Sequence, residues 1–95
     1  MNSRQMQYAI LLSQELNFSH VATMLNITQP ALSKQILKLE EELGVNVLTR
    51  SSNGVKLSEA GKTLYPRFVS LVKEEEALLE AAKNFNSKAD RKSVV

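Results

Sequence analysis

Cysteine is missing from all 95 residues, histidine occurs once, and no apolar run approaches the roughly 20 residues that span a bilayer. Without cysteine there is no disulfide framework, no Cys-based zinc site and no thiol chemistry. That suits a reducing compartment. The N-terminus also lacks the apolar core of a signal peptide, so the expectation is a soluble, cytoplasmic chain with no membrane partner. The lone His20 has no cysteine and no nearby carboxylate in sequence with which to share a metal or a proton. The Asp and Glu residues are dispersed, and no nucleophile–base pair can be drawn from them. No enzyme, no catalytic residue, no metal and no cofactor are therefore expected.

A further shortage is local. From Leu16 to Leu39, and again from Leu43 to Ser58, there is no acidic residue, while Lys34, Lys38, Arg50 and Lys56 are present. The acids gather at Glu40–Glu42 and Glu74–Glu76. The net charge of +2 is too small to announce nucleic acid, but an acid-free surface attracts phosphate. Chance in a short sequence is the plainer reading of charge alone.

A chain of 95 residues allows one small domain and an appended element. At this size it needs a partner or a very helical build. A first helix is predicted from about Ser3 to Leu16, capped by Asn2 or Ser3. Its face carries Met6, Ala9, Ile10 and Leu16, with Leu12 at the margin and Asn17 as the left-handed terminator. A short second helix, about Ser19 to Leu25, buries Val21, Ala22 and Leu25; Asn26 turns the chain and Ile27 plugs the core. Thr28 caps the third helix, and Pro30 lies in its first turn, where a missing N–H costs nothing. Leu32, Ile36, Leu39 and Leu43 then form one buried stripe ended by Gly44. At about 100° per residue Lys34 points away from that stripe, with Gln29, Pro30, Ser33, Leu37 and Lys38 around it.

The period then changes. Val45, Val47 and Thr49 alternate with Asn46, Leu48 and Arg50, and Asn53-Gly54 precedes Val55-Lys56-Leu57. Asn-Gly between β-branched runs predicts a hairpin, and a hairpin alone is unstable, so it must lean on the helices. Ser58 caps a long last helix with Glu59 in its first turn. Leu64, Phe68, Leu71, Leu78, Ala82 and Phe85 recur along it in a heptad pattern broken once, at Glu75. Pro66 predicts a kink near 62–66, and from about Asn84 the period is lost.

Two short helices joined tightly, the second opening on small polar residues, and then a hairpin: this is the layout of a winged helix-turn-helix. It puts the start of the third helix and the hairpin tip on one side, where the major groove can admit a helix. Gln29 suits an adenine edge or a phosphate, Ser33 a base or a phosphate, and Lys34 a guanine or a phosphate. Backbone N–H groups at the helix start favour phosphate. Glu40–Glu42 would be repelled by it, which accounts for their place at the far end.

The stretches "TQPALSKQI", "LEEELGV", "LTR" and "LSEAG", in this order and spacing, resemble the N-terminal DNA-binding domain of LysR-type transcriptional regulators. The likeness runs over roughly Ser3 to Phe85. It implies a mainly α fold: three helices plus a two-stranded β-hairpin wing over 1–57, a linker and dimerisation helix over 58–86, and a flexible tail over 87–95 leading to an effector-binding domain outside this chain. It implies a transcriptional regulator that reads an interrupted palindrome of double-stranded DNA as a homodimer, through the helix at 29–43 and the wing at 47–57. Pairing is through antiparallel long helices, with tetramers possible in the full-length protein. DNA contacts carry over to Thr28, Gln29, Pro30, Ser33, Lys34 and Lys38, and on the wing to Arg50 and Ser52. Dimer contacts fall on Leu64, Phe68, Leu71, Leu78, Ala82 and Phe85. A small-molecule effector would act only through the domain not contained here.

Departures from the pattern are informative. Lys34 stands where arginine is commoner and lacks its bidentate fork. Leu48 replaces a frequent phenylalanine, Asn53 sits at a wing tip that is often basic, and Leu37 lies where a polar residue is usual. Plainer readings stand beside the sharp ones. Gln29 and Ser33 could be solvated residues of an exposed helix start. Arg50 could pair with Glu40–Glu42 or support the hairpin, His20 could be an exposed cap or a backbone contact, and Glu75 a register device. For the chain as a whole, the other reading is a helical protein-interaction module without DNA specificity.

Overall fold

The computed structural model describes residues 1–88, the last three by their backbone. Four helices and one hairpin follow in the order α1 (Ser3–Glu15), α2 (Phe18–Leu25), α3 (Gln29–Leu43), β1 (Leu48–Ser51), β2 (Gly54–Leu57) and α4 (Glu59–Lys88). The architecture is mainly helical, a winged helix-turn-helix with a long last helix. α1 packs on α2, α3 and α4, and α2 packs on α3.

Asn2 starts α1 by accepting from the Gln5 N–H at 2.8 Å. Its end differs from expectation: Leu16, not Asn17, takes the left-handed conformation (φ 54°), and its N–H bonds the Leu12 carbonyl. Asn17 instead sits in the extended region and caps α2 by accepting from the His20 N–H at 2.9 Å. The two caps are consecutive residues, and Asn17 is the one whose side chain can begin a helix. Leucine therefore adopts the strained conformation, at a cost of roughly 1–2 kcal/mol. The face of α1 is also rotated from the predicted one. Leu12 is fully buried with Ala9, Ile10 is half-buried, and Leu16 is exposed. The rotation follows from α4, which covers a side of α1 that α2 and α3 leave open.

The second and third helices follow their caps. Asn26 takes φ 59° between α2 and α3. Thr28 Oγ1 accepts from the Ala31 N–H at 3.1 Å to open α3, and Gly44, at φ 77°, closes it. Leu32, Ile36 and Leu39 are buried and Leu43 is partly so. Two polar residues join the core unforeseen. Gln5 is buried and donates to Gln35 Oε1 at 3.0 Å, linking α1 to α3; the other is Glu40.

The wing is antiparallel, pairing Leu48 with Leu57, Thr49 with Lys56, Arg50 with Val55 and Ser51 with Gly54. The loop is thus Ser52-Asn53, not Asn53-Gly54. Neither loop residue has a positive φ; that role falls to Gly54, at φ 113°, which is already the first residue of β2. An Asn-Gly turn of the tightest kind would need positive φ at both positions. Val45 to Val47 are not strand either: Val47 and Leu48 are both buried in succession, which breaks the predicted alternation.

Ser58 Oγ accepts from the Gly61 N–H at 2.9 Å and caps α4. The helix runs through Pro66 and on to Lys88, past the point near Asn84 where the sequence loses its period. Of the predicted tail at 87–95, residues 87 and 88 are helical and 89–95 lie outside the described residues. The two halves of α4 differ. Phe68 and Val72 are buried in the core with Leu64 packed beside them, whereas every residue from 73 to 85 is exposed.

Candidate nucleic-acid interface

The outward face at the start of α3 is built by its inward one. Because Leu32, Ile36 and Leu39 are turned inward, Gln29, Pro30, Lys34 and Lys38 are left exposed and Ser33 half-buried. Thr28 is exposed and spends its hydroxyl on the helix start. Gln29 is not loose: its Oε1 accepts from the Ser19 hydroxyl at 3.0 Å, so α2 sets which way its amide nitrogen points. No acidic side chain intrudes here, and the row offers neutral donors and acceptors flanked by two ammonium groups. Such a row can meet base edges and phosphates together.

Beside it an open cleft of about 370 Å³ separates the start of α2 from the wing, with Phe18, Ser19, Gln29, Arg50 and Val55 on its walls. The Arg50 guanidinium lies over the Phe18 ring, 3.9 Å from its centre. Phe18 is 5% exposed, so the ring is a fixed platform, and the pair is worth about 0.5–1 kcal/mol or somewhat more. The alternative pairing of Arg50 with Glu40–Glu42 does not occur among the described residues. Sequence reading missed both Phe18 and Ser19 as supports; an aromatic at the start of one helix gives no sign that a strand 32 residues later will lay an arginine on it. Ser52 is exposed in the wing loop.

Two calls change. Glu40 was placed with the acids held away from phosphate, yet it is only 9% exposed. Its Oε2 accepts from the Val47 N–H at 2.7 Å and the Leu48 N–H at 3.2 Å. Only Glu41 and Glu42 are exposed there. His20 does have a carboxylate neighbour: Glu15 Oε1 lies 3.3 Å from its Nε2 across the α1–α2 corner. Both side chains are well exposed, and no cluster of potential metal ligands exists among the described residues. Nothing in the structure explains Leu37, which is 54% exposed beside Val45.

The heptad residues of α4 separate. Phe68 is 3% exposed inside its own protomer, and Leu64 leans on the same core. Phe68 therefore helps build the core of the domain, unlike the exposed residues of the heptad row. Leu71, Leu78 and Phe85 are 50%, 68% and 73% exposed, and Ala82 is exposed too; Leu79, outside the predicted set, is 57% exposed. Glu75, the break in the pattern, accepts from the Ser3 hydroxyl at 2.6 Å and so ties α4 back to α1.

A family model for bacterial regulatory helix-turn-helix proteins of the lysR family matches residues 3–62. The chain is 39% identical over 83 residues to a probable cat1 operon transcriptional activator of Acinetobacter lwoffii, covering 87% of this chain and 27% of that protein. Among solved structures, the BenM DBD in complex with catB site 1 DNA superposes with a TM-score of 0.86 at 33% identity. That match covers 95% of this chain and all of that one (100%). DarR of Vibrio fischeri in complex with DNA gives a TM-score of 0.88 at 29% identity, over 92% of this chain and 30% of DarR. The chain spans 27% to 58% of the length of the first curated relatives it matches.

Proposed function

Since the chain belongs to the lysR family of bacterial regulatory helix-turn-helix proteins, we propose that it is the DNA-reading part of a sequence-specific transcriptional regulator. One observation carries this: the start of α3 is exposed, polar, free of acid and braced by α2, and it stands beside a wing arginine seated on Phe18. α3 enters the major groove by its first two turns. Gln29, Ser33 and Lys34 face base edges, Pro30 packs against the groove wall, and Thr28 and Lys38 take backbone phosphates. Arg50 and Ser52 serve the neighbouring backbone or minor groove from the wing. The likeness to structures whose names state a DNA complex supports this placement.

A homodimer reads the two halves of an interrupted palindrome. The exposed apolar row of α4, Leu71, Leu78, Ala82 and Phe85 with Leu64 at its near end, supports pairing through that helix. Residues 1–57 form the reading head and 58–86 the pairing helix. The relatives are regulators, not enzymes. The work is done in the cytoplasm, and no described helix is long and apolar enough to cross a membrane.

The test is selection from a pool of random duplexes, followed by titration at several salt concentrations. One interrupted palindrome should emerge and bind far more tightly than scrambled duplex, with affinity falling as salt rises. Failure to enrich any site, with the chain still self-associating, would leave the interaction-module reading in its place.

A further inference from the structure

Val47 is fully buried and its peptide groups are held from two sides at once, by α3 and by the start of α4. Its N–H donates to Glu40 Oε2 of α3 at 2.7 Å. Its carbonyl accepts from the Ser58 N–H, at the start of α4, at 2.9 Å. The Ser58 hydroxyl donates to the preceding carbonyl, Asn46 O, at 2.6 Å, and accepts from the Gly61 N–H at 2.9 Å. Gly61 itself is buried against the Val47 carbonyl, and a Cβ at that position would overlap the oxygen. Glu40 reaches one residue further, to the Leu48 N–H that opens β1. The end of α3, the entry to the wing and the start of α4 thus converge on one stretch of backbone.

Glu40, Ser58 and Gly61 come from "LEEELGV" and "LSEAG", two of the most family-specific stretches, yet none of them is among the assigned DNA contacts. Ionised or neutral, a buried carboxylate that accepts two backbone N–H bonds is a directional tether. The chain between Gly44 and Val47 would otherwise retain its soft torsions. We propose that this junction, together with the packing of α4 on α1, sets the angle between the reading head and α4, and through it the spacing of half-sites that a dimer accepts. Glu40, Ser58 and Gly61 are positioning residues for recognition that touch no DNA. The proposal rests on the dimeric DNA-binding reading above. Lever length explains why rigidity matters: beyond Val72, which is buried in the core, α4 runs on to Lys88, about 24 Å. A pivot error of about 10° would move its far end by roughly 4 Å, more than one base-pair step of about 3.4 Å.

The test uses the parent chain with Glu40→Gln and Ser58→Ala, which remove part of the tether, and Ser58→Thr, which keeps the hydroxyl. The site selected by the parent is rebuilt as synthetic duplexes whose spacer is lengthened or shortened by one and two base pairs, and each is titrated. Both loosened variants should keep the base preference within a half-site. Their discrimination between the best spacer and its neighbours should fall at least about threefold, and Ser58→Thr should behave as the parent does. A lowered Tm with an unchanged spacing profile would make the junction a stability element only and overturn the proposal. If the parent itself selects no site, the DNA-binding reading falls with it, a different outcome from a parent that selects and variants that copy its profile.

Discussion

The two ends of α3 are both polar and do opposite work. At the start, Gln29, Lys34 and Lys38 are exposed and their partners are few: a cap at Thr28 and the Ser19 brace on Gln29. At the finish, Glu40 is buried and committed to the backbone of Val47 and Leu48. Charge alone would explain the sorting by distance from phosphate, and for Glu41 and Glu42 that suffices. Glu40 is there because the wing must be fastened to the helix that it flanks. α4 repeats the contrast, with Phe68 and Val72 in the core and Leu78 and Phe85 outside it. A polar or apolar pattern does not say whether a residue builds the domain or serves a partner; burial does.

The contrast can be broken by substitution. Phe68→Ala should cost about 3–5 kcal/mol in urea unfolding because it empties a filled core site. Leu78→Asp should leave the protomer folded yet yield monomers by light scattering, since it puts a charge in an apolar seam. A dimer that survives would move the pairing surface elsewhere. Glu40→Ala should cost about 1–3 kcal/mol, the penalty for leaving buried backbone donors without an acceptor; a cost near zero would erase the difference between the ends of α3. Thr28→Ala should cost about 1 kcal/mol as a lost cap. Gln29→Ala and Ser33→Ala should change stability by no more than about 0.5 kcal/mol. Each should nevertheless lower discrimination between sites by about 1–3 kcal/mol per lost base contact, and unchanged selectivity in both would contradict the assigned face.

The fold was largely legible where the signals are local. Thr28, Pro30 and Gly44 bound α3 as expected, and Leu32, Ile36 and Leu39 are its buried stripe. The acid-free start of that helix is visible in the sequence and exposed in the structure. Other features needed a neighbour. Arg50 on Phe18, Ser19 on Gln29 and Glu15 beside His20 are contacts between elements, and nothing in the spacing of those residues announces them. The wing was found but its loop misplaced by one residue, because Asn53-Gly54 fits two hairpin geometries and only the register with β1 selects between them.

By itself, then, the sequence determined the number and kind of elements, the caps at Asn2, Thr28, Gly44 and Ser58, and the face of α3 turned outward. These depend on side chains three or four residues apart, and the helical period is enough to read them. The tertiary structure alone decided that Leu12 is central, that Phe68 lies in the core, and that Glu40 and Ser58 meet at Val47. Each of those outcomes depends on which surface a distant element covers, and a period marks an apolar face without naming what will pack against it.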